Sequence, residues 1–255
     1  MSTTSPPTTT AAPPPALFHP TVARLTYRAL LGSRRALILF ALPALLLVIA
    51  VAVRTLSGAD DTTTKEILGG FALATLVPLL GVIAGTGAIG PEIDDGSVIY
   101  LLAKPVRRST IVLTKLTVAT GVTLVFSALP VLLAGFILNG NSQHLAVAYA
   151  TAAAIASLAY AALFLLLGTI TRHAVVIGLV YALVWETFFG NLVPGARTLS
   201  IQQWALALGA RLAPDSAVTS DVTLPTAAIL LIAVTTAATW YATHRLRSLT
   251  LAGDE

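Results

Sequence analysis

The 255-residue chain has no cysteine, one methionine and four histidines, and only 10% of its residues are Asp, Glu, Lys or Arg. Without cysteine there is no disulfide, no thiolate metal site and no cysteine nucleophile, and the redox compartment leaves no trace in cysteine usage. His19, His144, His173 and His244 are scattered without metal-ligand spacing. There is no GxxxxGK[ST] run and no GxSxG elbow, so the chain has neither a P-loop of its own nor a recognisable nucleophile site. Catalysis, cofactor binding and metal binding by this polypeptide are therefore not expected.

Apolar sequence is abundant: 56% of residues are hydrophobic, with a mean hydropathy of +0.86. One soluble core cannot absorb several uncharged runs of about twenty residues, whereas a bilayer about 30 Å thick accepts them singly. The expectation is an all-α integral membrane protein whose six transmembrane helices occupy residues 36–53, 67–89, 111–138, 145–170, 174–193 and 222–243. Residues 1–16, almost wholly Ser, Thr, Pro and Ala, read as a disordered tail, leaving 17–255 as one six-helix transmembrane domain. Net charge is +4 with a pI near 9.7, but the basic residues are spread over short loops and form no nucleic-acid-binding stripe. With six spans, eleven of the 15 Lys and Arg residues fall on the side of the termini and four (Arg54, Lys65, Arg197 and Arg211) on the other, which puts both termini in the cytoplasm.

Phe18 to Arg35 is two-faced at helical spacing: Phe18, Val22, Leu25 and Ala29 share one side, and Arg24, Arg28 and Arg35 another. This suits an interfacial amphipathic helix against anionic lipid, or equally a basic flank of the first span. Pro43, Pro78 and Pro130 sit inside spans, where kinks are expected. The segment 191–221 contains Trp204 among leucines and glutamines and reads as a short helix or re-entrant hairpin anchored by that tryptophan at the outer interface. Glu186 is the one carboxylate clearly inside a span. It is expected to snorkel or to hydrogen-bond the Asn191–Ser200 segment, with proton relay or binding of a cationic substrate as the alternative.

Between the second and third spans lies a polar island, Glu92 to Lys115, with seven of the chain's 26 charged residues. Gly90-Pro91 is read as breaking the span. Glu92, Asp94 and Asp95 then form an acidic first turn, Gly96 allows a bend, and Val98–Ala103 is a short apolar run stopped by Pro105. Just before it, Gly85-Thr-Gly87-Ala-Ile-Gly90 spells GxGxxG, but an apolar run of membrane-span length precedes it and arginines follow where a ribose-binding acid should be. Gly81 and Gly85 are better read as a GxxxG helix-packing pair, within or between subunits. No internal repeat is evident, because the loop after span four is only Thr171-Arg172-His173.

The run from Pro91-Glu92 through Gly96, Leu101-Leu102, Pro105, Arg107-Arg108 to Lys115 resembles the segment after the second span of ABC-2 type permeases. Trp185-Glu186, followed by Asn191-Leu-Val-Pro-Gly195 and Leu199-Ser200, is similar to the outer end of the fifth span in the same family. The resemblance covers nearly the whole chain after residue 17. It implies a cell-membrane subunit of an ATP-driven exporter, paired with a second permease copy or paralogue and resting on a separate nucleotide-binding ATPase subunit that holds the ATP and Mg. Glu92, Asp94, Asp95, Gly96, Leu101, Leu102, Pro105, Arg107, Arg108 and Lys115 would then couple to the ATPase, and Trp185, Glu186, Asn191 and Ser200 would form an outer gate. Competing readings are a proton-coupled carrier using Glu186 and a membrane scaffold that transports nothing.

Overall fold

The computed structural model describes residues 18–32, 35–58, 60–96, 107–189, 197–212 and 218–248. Among these there is no strand. We number the helices in chain order: α1 is Pro20–Leu31, α2 Arg35–Ser57, α3 Asp61–Asp94, α4 Arg108–Leu138 and α5 Gln143–Ile170. Next, α6 is Ala174–Val180 running on as a π-helix over Tyr181–Phe189, α7 is Ile201–Gly209 and α8 is Leu224–Ser248. Five of these, α2 (from Ala36), α3, α4, α5 and α8, are long and apolar enough to cross a membrane. The fifth expected span, residues 174–193, corresponds to α6, whose apolar part Ala174–Glu186 is shorter.

The second span differs from expectation. The helix does not break at Gly90-Pro91 but continues to Asp94, so Glu92 and Asp94 form its last turn instead of the first turn of a new helix. Proline this close to the end removes only the donor for the Gly87 carbonyl, and the Asp95 amide still reaches the Pro91 carbonyl at 3.0 Å. Gly96 ends the helix with φ +68°, a left-handed conformation that glycine adopts without a Cβ penalty. Glu66–Leu76, inside the same helix, is π-helical. The GxGxxG glycines are thus helical, with no strand or phosphate-cradling turn.

The centre of the bundle is α5, which packs on α3, α4, α7 and α8. A Cβ at Gly81 would lie 2.7 Å from the Tyr160 Cβ, and one at Gly85 would lie 2.7 Å from the Phe164 Cβ and 2.9 Å from the Leu165 amide nitrogen. The GxxxG contact therefore forms within the chain, between α3 and α5, where absent side chains let the helices approach closely. Ser127 and Ser157 share a 2.8 Å hydrogen bond between α4 and α5, satisfying two hydroxyls that lipid could not. Around this centre, 61% of the apolar window is buried in α3 and in α5, but only 22% in α2 and 17% in α8, which turn most of their surface outward.

Candidate functional site

Two polar clusters sit at opposite ends of the bundle. At the end carrying α1, the Lys115 side chain is fully buried in the second turn of α4. Its ammonium donates to Glu92 Oε1 at 2.7 Å, to the Ala88 carbonyl at 2.6 Å and to Thr26 Oγ1 at 3.5 Å. Three donors thus meet three acceptors on α3 and α1. Carboxylates at a helix C-terminus face the negative end of the macrodipole, and a buried cation there reverses the local balance. Helix α1 is held a second time, by the His19 amide donating to Thr114 Oγ1 at 3.0 Å.

Residues of the polar island therefore separate. Glu92, with 27% of its side chain exposed, is turned toward Lys115. Asp94, Asp95, Gly96 and Arg107 are exposed, and Arg108 is half-buried. Leu101, Leu102 and Pro105 lie outside the described residues, as does the short apolar run Val98–Ala103. On α1 the buried residues are Val22, Thr26 and Leu30, while Phe18, Leu25 and Ala29 are exposed, so the packed face is rotated from the expected one. The reason is Thr26, whose hydroxyl donates to the Val22 carbonyl at 2.9 Å and can then be buried beside Lys115. Arg24 and Arg28 are exposed, and Arg35 begins α2.

At the other end, Glu186 is fully buried in the π-helical part of α6. Its Oε1 accepts from the Tyr181 hydroxyl at 3.0 Å and from the Ile201 amide at 3.1 Å, and its Oε2 accepts from the Ser200 hydroxyl. Ser200 is the N-cap of α7, so the carboxylate sits on a helix N-terminus, where free amides and the dipole both favour negative charge. Gln202 fastens the same helix to α3 by donating to the Gly69 carbonyl at 2.9 Å, inside the π-helical stretch. The Trp185 indole reaches the Leu199 carbonyl at 3.5 Å. Trp204 is buried and donates to the Thr198 carbonyl at 2.8 Å, so it anchors α7 inward instead of at a membrane interface. Asn191 lies outside the described residues. Beside this cluster, Asp61 Oδ1 accepts from Asn139 and Ser142, both at 2.6 Å, and Arg54 caps the end of α4 through the Leu138 carbonyl at 3.2 Å.

The family description "ABC-2 family transporter protein" matches residues 21–242, which takes in both clusters and seven-eighths of the chain. The chain belongs to the ABC-2 transporter family. No curated protein matches it. An ABC-2 chain with five span-length apolar helices is a multi-pass membrane protein and a transport component of the permease type, in a family that works with ATP-binding subunits. In this ABC-2 protein, Tyr181, Gln202 and Thr26 are site residues that sequence reasoning missed. Thr26 had no signal at all, because its partner is 89 residues away. Ser200 preceding an apolar helical run was a legible N-cap.

Proposed function

We propose that the chain is the membrane-spanning subunit of an ATP-driven ABC-2 exporter in the cell membrane, with cytoplasmic termini and α6 as a sixth crossing. A separate P-loop ATPase subunit supplies the hydrolysis, a second permease copy or paralogue completes the pathway, and the cargo is hydrophobic or amphipathic. The observation that carries this reading, beyond family membership, is the Lys115 junction, which ties α1, α3 and α4 together directly beside the exposed Asp94, Asp95 and Arg107. A push on those residues at ATP closure would move three helices as one body, the kind of two-state element that coupling requires. Glu186 is held by three donors, which suits a structural latch on α7 better than a proton carrier.

The test is reconstitution in proteoliposomes with the P-loop ATPase that copurifies with it. ATP-dependent export is expected, and the exposed substitutions Asp95→Ala and Arg107→Ala are expected to lower transport per ATP hydrolysed at equal membrane abundance. Solute movement without any nucleotide-hydrolysing partner, or labelling of residue 95 from outside the cell, would sink the proposal.

A further inference from the structure

Arg24, Tyr27, Arg28 and Leu31 fall at i, i+3, i+4 and i+7 of α1, a single stripe away from the face packed on Lys115. Two of them, Tyr27 and Leu31, form one wall of an apolar groove of about 480 Å³ whose other walls include Phe40 of α2 and Gly121, Val125 and Phe126 of α4. That volume is inside the roughly 300–1,000 Å³ range of ligand pockets. Phe40 and Phe126 meet edge to face with ring centroids 4.8 Å apart. From Val118 to Phe126, α4 rises about 12 Å, close to the depth of one leaflet. The two arginines are exposed and make no ion pair with a carboxylate among the described residues. Two arginines on the α1 stripe that also supplies Tyr27 and Leu31 to an apolar slot of leaflet depth complement one chemistry, an anion carrying a hydrocarbon tail.

We propose that this groove binds one anionic phospholipid of the cytoplasmic leaflet, its phosphate against Arg24 and Arg28 and an acyl chain along α4 between Phe40 and Val125. The assignment to that leaflet rests on the orientation given above; the site itself does not depend on transport. An occupant there would wedge between α1 and α2 while α1 stays fastened to α3 and α4 through Lys115, so the lipid would set how freely α2 moves against that junction.

Gly121 lines the slot, and a Cβ built there meets no atom within 4 Å, so Gly121→Leu starts from open space and projects into the groove. The full chain in mild detergent is titrated with phosphatidylglycerol or phosphatidylcholine, and retained lipid is counted by native mass spectrometry. One phosphatidylglycerol per chain is expected, held roughly tenfold or more tightly than phosphatidylcholine. Arg24→Gln with Arg28→Gln should erase that preference, Gly121→Leu should lower retention of both lipids, and Arg245→Gln on α8 should change neither. Equal retention of the two lipids by the native chain, or the same loss in Arg245→Gln, would overturn the site, as would a Gly121→Leu protein that keeps its lipid but loses a dimer. Because binding is read without ATPase or transport, a failed export assay beside intact lipid stoichiometry strikes the proposed function and leaves this site standing.

Discussion

The two ends of the bundle solve the same problem, a carboxylate on a helix in apolar surroundings, in opposite ways. Glu92 sits at a helix C-terminus, where the backbone repels it, and is stabilised by a cation brought from another helix. Glu186 sits against a helix N-terminus and is stabilised by neutral donors, the Ser200 and Tyr181 hydroxyls and the Ile201 amide. The first arrangement is a strong link among three long elements, while the second fastens one nine-residue helix over the bundle. An ion pair whose cation is fully buried resists separation, because pulling it apart leaves that charge without a partner. The bonds that hold α7 are charge-assisted only through Glu186, and the Ser200 and Ile201 donors on the short helix can turn to water when it lifts. Under the proposed function, this difference suits rigid transmission at the α1 end and opening at the α7 end.

Breaking the ion pair should have the largest effect. Glu92→Ala strands the buried Lys115 ammonium and is expected to destabilise the protein by about 3–5 kcal/mol. Lys115→Met should cost less, since Glu92 can turn to water, and the double variant should recover much of the loss in Glu92→Ala. Thermal unfolding in detergent measures all three, and additive losses in the double variant would remove the pair from the argument. Next, Glu186→Gln keeps the shape but weakens the charge-assisted bonds from Ser200 and Ile201, for an expected loss of about 1.5–3 kcal/mol seen as faster protease cleavage near α7. A variant that instead keeps its stability and loses only the pH dependence of transport would favour the proton-carrier reading.

Gln202→Ala tests whether α7 is fastened to α3 independently of Glu186. A loss of about 1 kcal/mol is expected, additive with Glu186→Gln in unfolding experiments only if the two links are separate. The smallest effect concerns Asp60, which caps α3 by accepting from the Thr63 amide at 2.9 Å. That bond holds its carboxyl below the usual Asp range. With the folded value depressed, the cap's contribution is complete above the unfolded pKa and fades as pH falls through the folded one. Amide exchange at Thr63 should quicken on acidification before the rest of α3 loosens; uniform loosening would make the cap irrelevant.

Composition and periodicity by themselves determined that the chain is helical and membrane-embedded, and the spacing of Glu92, Gly96, Pro105, Arg107 and Lys115 pointed to the family. Those properties are local: a twenty-residue apolar run needs a bilayer whatever its neighbours are, and a motif is read along the chain. Only the tertiary structure decided that Pro91 leaves its helix unbroken, that Lys115 is a buried tie instead of a basic flank, that Trp204 points inward, and that the Gly81–Gly85 face meets α5 of the same chain. Each of these depends on which helix lies alongside, as Thr26 and Lys115 show across 89 residues. In an apolar environment, a polar group is placed by the nearest partner able to satisfy it, and that partner is chosen by packing.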